Sequence, residues 1–175
     1  MLRSISSLAP RSLLASLLAA TVLLTVALPA AARPLPGDPA IMVMISVEQA
    51  LLDLTNADRQ ANGLEPLDFD PETLEIARAR AASQLGTPAL THYDPSGELA
   101  FVRMLASAQV GYQLAGENLA RSSTDDASVT VRVQQALMKS PLHRKNILEQ
   151  GFKRVAIGAA TNSDGQITFA EVYRN

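Results

Sequence analysis

The chain has 175 residues, 47% of them hydrophobic, with 15 Lys and Arg against 17 Asp and Glu for a formal charge of −2. Setting aside residues 1–32 leaves 13 basic against 17 acidic residues, a charge of −4 that argues against nucleic acid or an anionic membrane as the main partner. The absence of cysteine excludes a thiol nucleophile, thiolate metal ligands, a lipidated cysteine anchor and any disulfide, so the fold must hold by burial alone.

The N-terminus reads as an export signal. Arg3 and Arg11 form a positive start with no acid before Asp38, and Leu13 to Leu28 is dominated by Leu, Ala and Val. Pro29 and the small-residue run Ala30-Ala31-Ala32 predict cleavage after Ala32, giving a signal peptide over 1–32. The alternative is an uncleaved anchor, since the apolar run approaches the roughly 18 to 20 residues that span a bilayer. The remaining 143 residues suit one domain.

Residues 33–45 are predicted as a lead-in, with Pro34, Pro36 and Pro39 opposing regular structure at its start. A helix is expected from Ser46, whose hydroxyl and Gln49 form a capping box, with Val47, Ala50, Leu51, Leu54, Ala57 and Ala61 as its apolar stripe. Asn62-Gly63 stops it. Asp70-Pro71-Glu72 opens a second helix carrying Leu74, Ala77, Ala81 and Leu85, and Gly86 ends it. The loop from Thr87 to Gly97 holds His92 and Tyr93, and a short helix follows over about 98–108. After Gly116-Glu117-Asn118-Leu119 comes a polar linker over 121–126, then a helix over about 127–139 that Pro141 terminates. Val155 to Ala160 and Ile167 to Tyr173 switch to strand composition around the turn Asn162-Ser163-Asp164-Gly165, a hairpin. Helices first and an antiparallel pair last predict an α+β domain over 46–175.

His92 and His143 are the two histidines of the chain. Neutral imidazole ligates borderline metals such as Zn2+, and either ring could equally cap a helix or bond a backbone carbonyl. Glu117 could be a ligand, a general base, an orienting partner of an imidazole, or a carboxylate that holds its own loop. Ser140 beside His143 invites a serine-hydrolase reading. No G-x-S-x-G elbow exists, and residues 127–148 contain no acid to orient the imidazole, so a capping role is favoured. Asn56 and Arg59 read as polar ties from a helix to loop carbonyls, and Asn118 and Asn146 as amides that hold loop and turn backbone.

Taken in order, Asn56-Ala57-Asp58-Arg59, His92, Arg103 with Gly111-Tyr112, Gly116-Glu117-Asn118, and the run from Ser140 to Leu148 resemble the CAP superfamily (the SCP domain), in its cysteine-free bacterial branch. Leu137 stands where the family usually has Trp, Ser140 where many eukaryotic members carry a second Glu, and Glu171 where the family has a late Gln. The resemblance implies a three-layer α-β-α sandwich with a small antiparallel sheet. It also implies a central groove site of His92, Glu117, Ser140 and His143, with a divalent ion such as Zn2+ between His92 and His143. A complete family framework with an incomplete catalytic set favours a monomeric binding module for a small, lipid-like or peptide ligand. The signal pattern predicts that it is secreted or periplasmic, with no membrane span once the signal is removed. A metal-assisted or Glu-based hydrolase of the cell envelope is the alternative, and an envelope scaffold is the third reading.

Overall fold

Among the described residues, five helices and a four-stranded mixed sheet make up the α+β fold. The computed structural model describes the backbone of residues 39–175 and side chains from Ser46 onward, so the expected signal peptide over 1–32 lies outside the described residues.

The first helix, α1, spans Pro39–Ala61 and so begins ahead of the expected cap. Pro39 supplies a preset φ at the opening of the helix, and residues 40–45 contain nothing that breaks it. Ser46 therefore lies inside α1, and Gln49 reaches forward to Asp53 (2.8 Å) instead of back to a cap. The lead-in of 33–45 is thus helical from residue 39. Gly63, at φ +74°, ends the helix in the left-handed conformation that glycine adopts without penalty.

Strand β1 (Asp68–Phe69) leads to Asp70, which accepts from the Glu72 amide (3.2 Å) and the Thr73 hydroxyl (3.0 Å) ahead of α2 (Leu74–Ser83). Helix α3 covers Ala100–Ser107. The Gly-Glu-Asn segment is a strand, β2 (Ala115–Ser122), rather than a loop, and it absorbs the first residues of the expected polar linker. Its polar side chains concealed it: a strand of mixed Ala, Gly, Glu, Asn and Arg shows no period-2 apolar pattern. Helix α4 spans Val129–Lys139, and Pro141 does end it, but Pro141 also opens α5 (Pro141–Ile147) as its first residue.

Strands β3 (Arg154–Thr161) and β4 (Ile167–Arg174) form the expected hairpin. The sheet order is β1-β3-β4-β2, with β1 parallel to β3 and the other pairs antiparallel, so the expected antiparallel sheet is mixed at one edge. Two residues suffice for β1, which is why sequence periodicity could not show it.

Side-chain alternation divides the core. Val155, Ile157, Ile167, Phe169 and Tyr173 pack with Leu51, Val133, Leu137 and Ile147 from α1, α4 and α5. Ala156 and Val172 face Ile76, Ala77, Phe101 and Leu105 from α2 and α3. Both faces are covered, which explains why every residue of β4 is buried, the polar Thr168, Glu171 and Arg174 included. Each buried Leu, Ile, Val or Phe contributes about 1.5–3 kcal/mol. Gly158 sets the closeness of the α2 layer: a Cβ there would come within 2.2 Å of the Ala77 carbonyl carbon and the Arg78 nitrogen. Residues 34–175 form one compact unit and contain all of this core.

Candidate functional site

The close seat of α2 on the sheet places Arg80 where its guanidinium reaches Glu117 on the edge strand β2. Nε donates to Oε1 at 2.7 Å and Nη2 to Oε2 at 3.2 Å, while Nη2 also holds the Thr91 carbonyl (2.7 Å). Both side chains are buried, Arg80 at 5% exposure and Glu117 at 0%. His92, next to that carbonyl, places Nδ1 2.7 Å from Glu117 Oε2. A carboxylate oxygen can only accept, so Nδ1 carries the proton in this contact and Nε2 is the ring nitrogen left outside it.

On the opposite face of β2, Asn118 ties the strand to α5. Its Nδ2 donates to the His143 carbonyl (3.2 Å) and to Glu171 Oε2 (2.9 Å), and its Oδ1 accepts from Asn146 Nδ2 (2.9 Å). Asn146 also donates to the Glu117 carbonyl (3.2 Å), which tethers the outer edge of β2. His143 is half-buried, and burial followed by the neighbouring charge of His92 holds its pKa below the ordinary imidazole value. His92 lies in the loop between α2 and α3, bonded to Glu117, and His143 lies in α5.

Ser140, the residue between α4 and α5, and His143 share a cleft of about 360 Å³ with Leu119, Arg121, Arg132 and Leu137. Leu137, at the position the family resemblance assigns to Trp, forms part of its wall. No hydrogen bond joins Ser140 Oγ to the His143 ring among the described residues, and none orients that ring through a carboxylate. On the α2 side a larger groove of about 1010 Å³ lies between α2, α3 and the loop of Tyr93 and Asp94, with Ile76, Arg80 and Met104 in its lining.

Asn56 and Arg59 sit away from this cleft and brace loops. Asn56 exchanges hydrogen bonds with the Leu67 backbone (3.0 and 2.7 Å), and Arg59 donates to the carbonyls of Glu65 (2.9 Å), Ile147 (2.7 Å) and Glu149 (2.9 Å). Behind the site, Glu171 is fully buried with only neutral donors: Asn118, Thr55 (3.0 Å) and the Tyr173 hydroxyl. Burial pushes its pKa up, and those three hydrogen bonds only partly offset the shift.

Arg80 escaped the sequence reading, although a signal for it exists. It falls on the same helical face as Ala77, Ala81 and Gln84, all of them buried, and an arginine on a core face needs a carboxylate or several carbonyls to receive its donors. The donor set suits a metal only in part. His92 has its far nitrogen fixed by a carboxylate, an arrangement typical of metal-binding histidines. Glu117, however, has both oxygens engaged, and among the described residues no three His, Asp or Glu side chains are grouped to hold an ion. That leaves at most two imidazoles, fewer than the three or four protein ligands of a zinc site.

Residues 52–173 match the CAP family, the cysteine-rich secretory protein family. Over 111 residues the chain is 34% identical to the uncharacterized protein YkwD of Bacillus subtilis (strain 168), covering 63% of this chain and 41% of that protein. The fold superposes with a TM-score of 0.66, at 27% identity, on an extracellular protein containing a SCP domain from Bacillus anthracis str. Ames, covering 82% of this chain and 45% of that one. A further fold match, at 12% identity and a TM-score of 0.52 over 73% of this chain and 78% of the other, is NaASP2 crystallised with Zn2+. This chain therefore spans less than half the length of the Bacillus proteins it matches. With the family match running through nearly all of α1 to β4, the chain belongs to the CAP family of cysteine-rich secretory proteins, as a member without cysteine.

Proposed function

We propose that the chain is an exported CAP-domain binding module whose ligand sits against the imidazoles of His92 and His143. The observation that carries this reading is the state of Glu117: buried, with both oxygens held by Arg80 and one also by His92. A carboxylate so engaged has little capacity left to take a proton from water, so it serves to fix the His92 ring. Ser140 lacks the oriented base that nucleophilic attack requires. Export is supported by the N-terminal signal pattern and by the extracellular SCP-domain protein of Bacillus anthracis.

A small, lipid-like or peptide ligand is the class this module would take, with a divalent ion as a second element. His92 through Nε2 and His143 would hold Zn2+, the ion present with NaASP2. When bound, Zn2+ acts as a Lewis acid toward a ligand oxygen. The chain's own contribution is the His92 ring, oriented by Glu117, and the His143 ring, whose pKa burial and the charge of His92 hold below the ordinary value. The test is calorimetric titration of residues 34–175 with Zn2+, wild type against His143→Ala. A saturable heat lost in the variant is expected, and a flat wild-type titration would remove the metal. Hydrolysis of a peptide and ester panel that vanishes in both Glu117→Gln and His143→Ala would replace binding with the hydrolase reading.

A further inference from the structure

The α4–α5 corner carries a charge distribution unlike the rest of the molecule. Residues 127–148 contain Arg132, Lys139, Arg144 and Lys145 and no acid, within a chain whose formal charge is −2. Elsewhere the arginines are mostly paired: Arg78 with Glu48, Arg80 with Glu117, Arg103 with Asp94, and Arg174 with Asp70. At the corner, Arg132 has Asp126, but Lys139, Arg144 and Lys145 make no ion pair among the described residues, and all three are exposed.

The same corner holds Leu142, 79% exposed, against 57% for Tyr93, the next most exposed of the large hydrophobic side chains. Leu142 and Lys145 are three residues apart on α5 and so share one helical face, while Lys139 closes α4 just before the corner. This exposed apolar side chain has the unpaired cation Lys145 on its own helical face and Lys139 at the end of the preceding helix. Such an arrangement matches the boundary between headgroups and acyl chains of an anionic bilayer, where cations meet phosphate and the apolar group leaves water. An acidic peptide would satisfy the cations and leave the Leu142 tip in solvent. The negative charge of the whole chain does not decide the matter, because at physiological salt charges act over only about 8 Å and a surface contact responds to the local face.

We propose that this corner docks the domain on an anionic lipid surface. The cleft of Ser140 and His143 opens beside the contact, so a docked domain holds that cleft at the membrane. Docking is independent of whether the imidazoles bind a ligand.

Vesicle co-sedimentation of residues 34–175 tests it, using phosphatidylcholine alone and phosphatidylcholine with phosphatidylglycerol. Binding is expected only to the anionic vesicles, falling as salt rises. The exposed double variant Lys139→Glu/Lys145→Glu is expected to lower the partition at least about tenfold with an unchanged circular dichroism spectrum. Leu142→Ser is expected to weaken binding while preserving the salt dependence, and His143→Ala to lose any Zn2+ heat yet keep vesicle binding. No binding to phosphatidylglycerol vesicles at low salt, or equal binding by the charge-reversed variant, would overturn the proposal. So would full competition by glycerol phosphate at matched phosphate concentration, which would make the corner a soluble-anion site.

Discussion

The guanidinium of Arg80 grips both oxygens of Glu117, at 2.7 and 3.2 Å, and Glu117 in turn receives His92 at 2.7 Å. One buried ion pair thus decides which way an exposed imidazole faces. Because α2 supplies the arginine and β2 the carboxylate, the pair also joins the helical layer to the edge of the sheet.

That coupling predicts an asymmetry. Removing one partner leaves a charge buried without compensation, so Arg80→Leu is expected to destabilise residues 34–175 by about 3–5 kcal/mol in urea denaturation. The double variant Arg80→Leu/Glu117→Leu should recover much of that loss, since apolar groups of similar volume fill the space without a desolvation cost. Additive losses in the double variant would show that the two side chains act independently.

Glu171 yields a pH prediction of defined sign. Its carboxyl is raised above the ordinary value of 4.5, burial outweighing the bonds from Tyr173, Asn118 and Thr55. The folded state thus holds this proton more tightly than the unfolded chain. Its contribution to stability is complete below about pH 4.5 and is lost as pH climbs through the raised folded value. Glu171→Gln keeps a hydrogen-bonding group of the same shape and cannot ionise. The urea midpoint of the variant should therefore gain on the wild type as pH rises above about 4.5 through the raised folded value. A constant difference would mean that Glu171 titrates normally.

The layers of the fold were legible because they rest on periodicity: the stripes of α1, α2 and α4 and the apolar strands β3 and β4 each repeat a pattern that only one burial arrangement satisfies. Of the residues expected at the site, Glu117 and His92 bond to one another, the orienting role that is one of the sequence readings of Glu117. What remained hidden has a physical reason in each case. Strand β2 carries polar side chains that are satisfied only in three dimensions, Glu117 by Arg80 and Asn118 by Glu171. Helix α5 is too short for its pattern to repeat, and Pro141, read as a terminator, serves equally as a first helical residue. Arg80 stayed hidden because its burial arises only once α2 is seated against Gly158.

His143 offers a spectroscopic test of ring proximity. Its lowered pKa arises first from burial and second from His92, so an NMR titration of ring protons should place it below 6.5 in the wild type. His92→Gln removes only the second cause, and the His143 value should move partway back up. A folded pKa below the unfolded one contributes stability that is present above 6.5 and lost as pH falls through the folded value. Zn2+ competes with the same proton, so any metal affinity should fall over the same acid range. No response of His143 to the substitution would place the rings too far apart to share a ligand.

The seat of α2 can be challenged through a single methyl group. A Cβ at Gly158 would lie 2.2 Å from both the Ala77 carbonyl carbon and the Arg78 nitrogen, and 2.5 Å from the Ala77 oxygen. These are backbone atoms in the middle of a helix, which no rotamer change can move aside. Gly158→Ala must therefore lift α2 from β3, opening the layer of Ile76, Ala77, Ala156 and Val172. The cost is expected at or above the upper end of the about 1–3 kcal/mol typical of overpacked cores. Since Arg80 rides on the same helix, its bond to Glu117 should lengthen and the His92 resonances should shift with it. A Gly158→Ala variant of wild-type stability, with unmoved His92 signals, would refute the claim that this glycine sets the height of the helix and, through it, the geometry of the site.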